Sequence, residues 1–323
     1  MDLIYTNAKR ADQGVLATHA FDLSFGADEN ENNFELVIGK HDASLEFGSF
    51  VYIEGTEYGG MVDAMKTHTN EESITYMGRT WHGILNSKVI EPNPGENYLV
   101  VDEDANIVLS MLISRLGLSG LFVADEKLSG IDTRSYRFHR YCKAYDGIRA
   151  MLAANGAKLK IAWDGGSVRL SAEPIVDYAE TPIDGDIAPL SVERHETKVN
   201  HLICLGRGEL AEREVIHLYV DQFGTIGNVQ YYTGIDEVTD IYENTSAESS
   251  EELLNRGIDR LAELRNNDSA DIDLTETNNP PYDIGDIVGS SDVHSGISVA
   301  AAVSQKIVRI NNGAICTEYK TGG

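Results

Sequence analysis

The sequence predicts an α+β protein, with short strands toward both ends of the chain and helices between them. Three observations lead to this fold class. Short apolar runs separated by turn residues fill residues 1–77, helical periodicity follows in the middle, and strands return after residue 191. Single strands and helices do not alternate as a doubly wound parallel sheet requires. At 323 residues, with roughly 100–200 residues per domain, two or three domains are expected.

The first region offers six candidate strands. They are "DLIYT", "HAFDLSF", "NFELVIG", "SFVYIEG", "GGMVDAMKTH" and "SITYMG". Strands this short, with Gly, Asn and Asp between them, are typical of a small antiparallel barrel or sandwich. Within "EGTEYGG" we expect Gly55, Gly59 and Gly60 to occupy turn positions that need positive φ.

The middle region predicts two helices and a β-hairpin. In "DEDANIVLSMLISRLGL" apolar residues recur at helical spacing, the acidic "DED" lies in the first turn, and Gly117 ends the helix. The second helix lies in "AYDGIRAMLAANG" and ends at Gly156. The run "AKLKIAWDGGSVRLSAEP" alternates on both sides of Asp164, Gly165 and Gly166, which predicts a hairpin.

The last region is predicted to be mostly strands with one helix. Strands are expected first in "KVNHLICLG", "REVIHLYVD" and "VQYYTG". A helix follows in "SAESSEELLNRGIDRLAELRNN", where Ser249 and Glu252 have the spacing of a capping box. Strands resume in "DIDLTET", "YDIGDIVGS", "GISVAAAVSQKIVRINNG" and "AICTEYK".

The charge balance excludes several classes of function. The chain has 26 Lys and Arg against 52 Asp and Glu, a formal net charge of -26. Such a surface repels phosphate backbones and anionic lipid headgroups, so sequence-specific DNA binding and membrane attachment through a basic patch are not expected. No apolar run approaches the roughly 18 residues of a membrane span, and the N-terminal stretch lacks the pattern of a secretory signal.

The cysteine pattern points to a reducing compartment. Cys142, Cys204 and Cys316 lie far apart and form no C-x-x-C pair. An odd number without metal-ligand spacing predicts reduced, mostly buried thiols in a cytosolic protein.

Two stretches resemble metal sites only in part. "HETKVNH" places His195 and His201 six residues apart with Glu196 between them, whereas a zincin needs two histidines four apart on a helix. We interpret this stretch as the entry to a strand.

"DENENN" gives Asp28, Asn30 and Asn32 the alternation that opens a calcium loop. Asn33 then stands where such a loop needs glycine, and Gly39 where it needs a bidentate glutamate. An acidic hairpin loop is the favoured interpretation.

The remaining candidates do not form a catalytic set. "GRGEL" at 206–210 lacks the third glycine and the following helix of a dinucleotide site. Cys142, His139 and Asp146 could be drawn as a nucleophilic set, but nothing orients a base toward the sulfur, and a buried thiol beside a structural histidine is favoured. The sequence therefore nominates no catalytic, cofactor-binding or metal-binding residue and no cofactor.

Several longer motifs together resemble a phage or prophage tail protein. They are "FELVIG", "YIEGTEYGGMVDAMK", "ITYMGRTWHGILNSKVIEP", "KVNHLICLGRGEL", "VIHLYVD" and "YDIGDIVG", spread over nearly the whole chain. The group they resemble is the siphovirus family of gene-product-37-like tail proteins, related to baseplate hub proteins and to the N-terminal hub region of tail-associated lysins. "GRTWHGIL" followed by "KVIEP" is the most specific element.

The resemblance implies a baseplate-hub-like fold, with two small antiparallel β-barrel domains and an α/β domain between them. The first barrel would comprise residues 1–90, and residues 91–190 would form the α/β domain that ends in the hairpin. Residues 191–323 would form the second barrel, with the helix at about 249–266 inserted. Some relatives carry a C-terminal peptidoglycan hydrolase, for which we expect no counterpart here.

The function implied is structural: a hub in the tail tip that continues the tail tube and acts by assembly, not as an enzyme. The expected partners are two further copies in a homotrimer, the distal tail protein, the tape measure and other tail-tip proteins. DNA would pass through the ring without sequence-specific binding. The protein would reside in the virion tail, and in the cytoplasm of the lysogenic host before assembly. The alternative is a tail-associated peptidoglycan-degrading endopeptidase or lysin.

Within this scheme "GRTWHGIL" is predicted to join the first barrel to the α/β domain. Gly78 would let the chain turn out of the last strand, and Trp81 and Ile84 would pack back onto that strand. Arg79 is expected to pair with a carboxylate, and no partner is expected that would make His82 a base.

Overall fold

The computed structural model describes residues 2–26, 31–179, 183–184, 190–193, 198–247, 249–265, 269–272, 274–275, 282–292 and 297–321. By internal contacts the chain forms two compact units. The large unit comprises residues 1–190 and 271–322, and the small unit comprises residues 191–270. Each is described separately below.

The described residues are mostly strands, with four helices and two short 3₁₀ turns. The elements up to the hairpin are β1 Leu3–Thr6, β2 Asp12–Leu16, β3 Ala20–Gly26, β4 Asn33–Gly39, β5 Phe50–Tyr52, β6 Gly59–Thr67, β7 Ser73–Thr80, α1 Trp81–Asn86, β8 Val89–Ile90, β9 Val100–Val101, α2 Ala105–Arg115, β10 Phe122–Ala124, β11 Tyr136–Arg137, β12 Cys142–Lys143, α3 Ala144–Ala153, β13 Ala157–Asp164 and β14 Ser167–Pro174. The remaining elements are β15 Ile183–Asp184, β16 Leu190–Glu193, β17 His201–Leu205, a 3₁₀ turn Leu210–Glu212, β18 Val215–Val220, β19 Ile226–Gly227, a 3₁₀ turn Gly234–Asp236, β20 Thr239–Glu243, α4 Ser250–Arg265, β21 Ser269–Ile272, β22 Leu274–Thr275, β23 Ile287–Asp292, β24 Ile297–Asn311 and β25 Ala314–Thr321.

A twelve-stranded sheet dominates the large unit. Its strands follow the order β15-β23-β24-β3-β4-β7-β6-β5-β1-β2, and β25 and β22 branch from β24. All its pairings are antiparallel except that of β15 with β23. All six strands predicted in residues 1–77 are present. The sheet contains one more strand, β2, which carries no apolar alternation in the sequence because its residues are largely exposed.

The pairing of β3 with β24 brings the two ends of the chain into one sheet. Seven residue pairs, from Gln305 opposite Gly26 to Asn311 opposite Ala20, hold β24 against β3. The arrangement predicted from the sequence places β3 in the first barrel and β24 in the second. Two apolar runs far apart in sequence give no signal that they are neighbours, because pairing depends on edges that only the folded sheet defines. The mixed α+β class is confirmed, whereas the arrangement of two barrels around an α/β domain remains a prediction.

The middle of the large unit follows the predicted elements closely. Asp104 caps α2, its carboxylate accepting from the Asn106 backbone N–H at 2.9 Å, and Gly117 follows the helix with φ +69°. The acidic residues thus precede the helix and do not form its first turn. α3 ends before Gly156, at φ +70°. The hairpin of β13 and β14 turns at two glycines, Gly165 and Gly166, both with positive φ, as a two-residue turn requires.

The small unit is a four-stranded sheet with a helix on one face. The strand order is β19-β18-β17-β20, with β17 antiparallel to β18 and parallel to β20. Ser249 accepts from the Glu252 backbone N–H at 3.2 Å, so the predicted cap of α4 is present. Leu253, Gly257 and Leu261 of α4 are buried. They belong to a core with Leu202, Cys204, Leu218 and Val220 of the sheet.

One predicted strand of the small unit is wrong. "VQYYTG" at 229–234 is an exposed loop that leads into the 3₁₀ turn at Gly234–Asp236, and the strand lies further on, at β20. Aromatic residues favour strands by composition, but Tyr231 is 52% exposed and its ring meets Tyr232 edge-on. Among the described residues, no helix combines the length and apolar character that spanning a membrane would take.

Candidate functional site: a buried joint and an open sheet face

The stretch "GRTWHGIL" forms the end of β7 and the start of α1. Thr80 caps α1, with its hydroxyl accepting from the Gly83 backbone N–H at 3.4 Å. Arg79 makes a bidentate pair with Asp63, with Nε and Nη2 at 2.7 and 2.8 Å from the two carboxylate oxygens, which confirms that Arg79 binds a carboxylate. Partial burial alone would raise the pKa of Asp63, but the hydrogen bonds from Arg79 hold it below its usual value.

Three glycines around this stretch are required by close backbone approach. Gly78 lies inside β7, and a Cβ there would stand 1.9 Å from the Met61 carbonyl oxygen, so Gly78 does not form the predicted turn. Of the three glycines predicted to need positive φ within "EGTEYGG", only Gly55 has it, at +74°. Gly59 and Gly60 instead lie in β6, where a Cβ would collide with Val51, Trp81 or Arg79. Sequence spacing could not separate these two uses of glycine.

Trp81 is a centre of packing. It is fully buried, its indole stacks on Trp163 of β13 with ring centroids 5.2 Å apart, and it meets Phe50 edge-on at 5.4 Å. Tyr52 also stacks on Trp163, with ring centroids 4.2 Å apart. These ring contacts connect β5 of the large sheet to β13 of the hairpin. The assignment of this stretch as the joint between a barrel and an α/β domain stays a prediction.

His82 has a carboxylate partner, contrary to the prediction. Its Nε2 lies 3.4 Å from Oε2 of Glu57, and its ring packs against Phe25 and Tyr145. The other oxygen of Glu57 accepts from Nζ of Lys306 at 2.8 Å. Sequence reasoning missed this set because Glu57 and Lys306 lie 249 positions apart.

Glu57, His82 and Lys306 form a triad. Burial and ion pairing shift the pKa values of Glu57 and Lys306 in opposite directions. Burial alone would raise the pKa of Glu57, but Lys306 and His82 together hold it well below its usual value. Burial alone would lower the pKa of Lys306, but Glu57 raises it above its usual value. Both groups are therefore charged across the physiological range. Lys306 is further enclosed by the rings of Tyr58 and Tyr319.

A second buried ion cluster fixes the segment before β23. Nζ of Lys158 lies 2.8 Å from both oxygens of Asp286 and 3.0 Å from Asp283, which also binds Lys160 at 2.8 Å. Asp286 is fully buried, and its carboxylate also accepts the backbone N–H groups of Val176 and Asp283 at 2.9 Å. The cluster thus pairs its buried charges with oppositely charged groups.

The small unit exposes the sheet face opposite α4. Pairing registers place nine side chains in three rows on that face. The rows are Val215–Leu205–Glu243, His217–Ile203–Ile241 and Tyr219–His201–Thr239. Ile241 is 63% exposed and Val215 46% exposed, so much of this face is uncovered and apolar.

One edge of this face is held by a hydrogen-bonded chain. His201 lies with Nδ1 2.7 Å from Glu237 and Nε2 2.8 Å from Nδ1 of His217, and its ring stacks on Tyr219 at 4.4 Å. Gln230 donates to the same Glu237 oxygen at 2.9 Å. No group of three or more His, Cys, Asp or Glu within the described part of the chain could hold a metal ion.

Solved structures of other proteins match the fold of this chain over nearly its full length. A prophage tail protein of Listeria monocytogenes matches 100% of this chain and 94% of its own, with 11% identity and a TM-score of 0.57. A 43 kDa tail protein of prophage MuSo2 from Shewanella oneidensis matches 99% of this chain and 98% of its own, with 11% identity and a TM-score of 0.56. A chain of the phage P2 baseplate in its activated conformation with Ca matches 100% and 99%, with 8% identity and a TM-score of 0.52.

The fold is that of phage tail and baseplate proteins. The resemblance indicated by the sequence motifs is thereby confirmed at the level of the fold, while the gene-product-37-like family remains a prediction. No protein-family model matches the sequence, and no curated protein matches it.

The remaining candidate residues for a metal site do not form one in the described part of the chain. Asp28, Asn30, His195 and Glu196 lie outside the described residues. Asn32 is buried, and its side-chain amide exchanges hydrogen bonds with the backbone of Gly26.

The three cysteines are free thiols. Burial raises the pKa of Cys142, which disfavours the thiolate that a nucleophile needs. Cys204 is buried under α4, whereas Cys316 is exposed, so only part of the expected burial is found. In "GRGEL", Gly208 has φ +97° and precedes a 3₁₀ turn, not a phosphate-binding helix.

Proposed function

We propose that this protein is a structural component of a phage or prophage tail tip, a baseplate hub that continues the tail tube and connects it to the distal tip. The observation that carries the proposal is the full-length match to tail proteins and to a baseplate chain. Each compared structure is matched over at least 94% of its own length, so the likeness is not confined to one common domain.

The architecture of the charged groups favours a mechanical role over catalysis. Among the described residues of the large unit, the buried charges of Glu57, Lys306, Lys158 and Asp286 are paired, and the triad and the Lys158 cluster both link segments distant in sequence. Such pairs leave the segments they join few alternative arrangements, which suits a protein that keeps its shape within an assembly. In the small unit, by contrast, apolar side chains remain exposed, as expected of a protein that buries surface on assembly.

The assembly proposed is a homotrimeric ring in contact with the distal tail protein, the tape measure and other tail-tip proteins. A net charge of -26 would suit a ring through which DNA passes, because carboxylates along the bore repel phosphates and leave the duplex free to slide. The expected location is the virion tail, after synthesis in the cytoplasm of the host.

Deleting the gene in the phage or lysogen that encodes the protein tests the proposal. After induction, electron microscopy should show tailless particles or tails without a tip, and supplying the gene in trans should restore them. Purified protein incubated with bacterial cell walls should release neither amines nor reducing ends. Normal tails in the deletion strain would contradict the structural role, and solubilised walls would favour the lysin alternative.

Oligomeric state is the second test. Native mass spectrometry of the protein co-expressed with its neighbouring tail proteins should give complexes containing three copies. Complexes with another copy number would contradict the trimer without affecting the tail assignment.

A further inference from the structure

Nine side chains in three rows form the open face of the small unit. The fold of this unit does not require the apolar residues on that face. The opposite face supplies the core, where Leu202, Cys204 and Leu218 pack on α4. Ile203, Leu205 and Ile241 add nothing to that core, since successive residues of a strand point to opposite sides. Leu205 and Ile203 are adjacent on this face and pair with Val215 and Ile241, so a partner that covers them removes contiguous apolar surface from water.

The size of this face limits what can bind it. Three strands about 4.8 Å apart and three rows about 6.7 Å apart span roughly 10 by 13 Å between Cα positions. Even with side chains included, this area is far below the roughly 800 Å² per partner of a stable protein dimer. A short extended segment of a partner fits the face, whereas a second folded copy of the chain would bury too little.

Charge further selects the occupant. Residues 191–270 contain sixteen Asp and Glu and seven Lys and Arg, so a second copy of this unit is repelled and a cationic partner is attracted. Glu243 lies on the face itself beside Arg213, with its side chain 60% exposed, and Glu237 borders the face beside His201. Carboxylates beside an apolar strip match Lys or Arg residues that flank apolar ones.

We propose that the open face of β18, β17 and β20 docks a short, extended segment of a partner protein whose sheet-facing side carries apolar residues in the middle and a Lys or Arg at each end. The apolar side chains cover Ile203, Leu205 and Ile241, and the cations lie against Glu237 and Glu243. This inference concerns the surface of the small unit and stands whether or not the protein belongs to a phage tail.

The test uses the full chain and two synthetic seven-residue peptides. One has Lys at positions 1 and 7, Val or Ile at positions 3 and 5, and Thr between them, and the other has Glu in place of each Lys. Binding is measured by fluorescence anisotropy, and the site is mapped by hydrogen exchange. The Lys peptide should bind and protect β20, and the Glu peptide should not bind.

A Lys peptide could also bind any acidic protein through charge alone. Variants that keep every charge but remove apolar side chains distinguish that attraction from docking on the face. Val215→Thr with Ile241→Thr should weaken binding of the Lys peptide about tenfold, because the apolar contact is lost. Threonine retains strand propensity, so the sheet should stay folded, which circular dichroism verifies. The matched control is Val100→Thr, an exposed valine in β9 of the large unit, which should bind like the unmodified protein.

Three results would overturn the proposal. In the first, the double variant binds the Lys peptide as well as the unmodified protein does. In the second, the Glu peptide binds equally well. In the third, the protein self-associates in sedimentation experiments and the double variant does not, which would make a second copy the occupant.

Discussion

The two units differ in the burial of their charged and apolar side chains. The large unit buries charge: Glu57, Lys306, Lys158 and Asp286 lie inside it, each with an oppositely charged partner. The small unit exposes apolar surface: Ile241 and Val215 face outward from a sheet whose other side is well packed. Buried charge costs free energy unless it is paired, and exposed apolar surface costs free energy unless it is later covered.

This contrast separates rigidity from assembly. A buried pair permits one arrangement of its neighbours, because breaking it leaves a charge without water or partner. The open face places no such demand on the small unit, so its side chains can change without loss of the fold. We therefore expect substitutions in the large unit to change stability, and substitutions on the open face to change binding.

The largest effect on stability is expected from Trp81→Ala. Removing a fully buried indole that contacts Trp163 and Phe50 leaves a large cavity, which should cost about 3–5 kcal/mol of the free energy of unfolding. Both tryptophans of the chain lie in the large unit, so the fluorescence of Trp163 during urea unfolding reports on that unit in the variant. Phe47→Ala, at an exposed site, is the control and should change stability by less than about 0.5 kcal/mol. Equal midpoints for the two variants would contradict the role of Trp81 as the joint.

Nearly as large an effect is expected from Lys306→Met. Without Lys306, Glu57 stays buried with His82 as its remaining ionisable partner among the described residues, at a cost of about 3–5 kcal/mol. The double variant with Glu57→Leu removes both charges and should recover much of that loss. Urea unfolding of the two variants gives the comparison. If the double variant is no more stable than the single one, the loss lies in packing and not in an unpaired charge.

The same triad predicts a pH dependence. The folded state lowers the pKa of Glu57 below 4.5, so the stabilisation from Glu57 is present above that pH and is lost as the pH falls. It raises the pKa of Lys306 above 10.5, so that contribution is complete below pH 10.5 and is lost as the pH rises through the higher folded value. Below pH 4.5 the unmodified protein should lose stability more steeply than the double variant, by up to about 1.4 kcal/mol per pH unit. Parallel curves would show that Glu57 does not contribute to acid sensitivity.

Local sequence patterns predicted the elements whose signals are themselves local. Gly117, Gly156, Gly165 and Gly166 end or turn the chain where predicted, because positive φ at a helix end or tight turn leaves a trace within a few residues. The helix of the small unit was predicted with its cap for the same reason.

Features that depend on distant residues were not predictable. Glu57 meets Lys306, and β3 meets β24, across nearly the whole chain, and no pattern in either segment identifies its partner. Gly59, Gly60 and Gly78 looked like turn residues, although they make room for neighbouring strands and for Trp81. The open face could be traced only once the registers of β17, β18 and β20 were known.

The smallest effect on stability is expected on that open face. Ile241→Thr keeps a β-branched side chain at a position that is 63% exposed, so the free energy of unfolding of the small unit should change by less than about 0.5 kcal/mol. Leu202→Ala, on the opposite face of the same sheet, removes a fully buried side chain beneath α4 and should cost about 2–5 kcal/mol. Because the tryptophans lie elsewhere, hydrogen exchange of the amides in β17 and β18 is the appropriate measurement. Equal loss of protection in the two variants would mean that Ile241 belongs to the core of the small unit, and the distinction between a buried face and a binding face would fail.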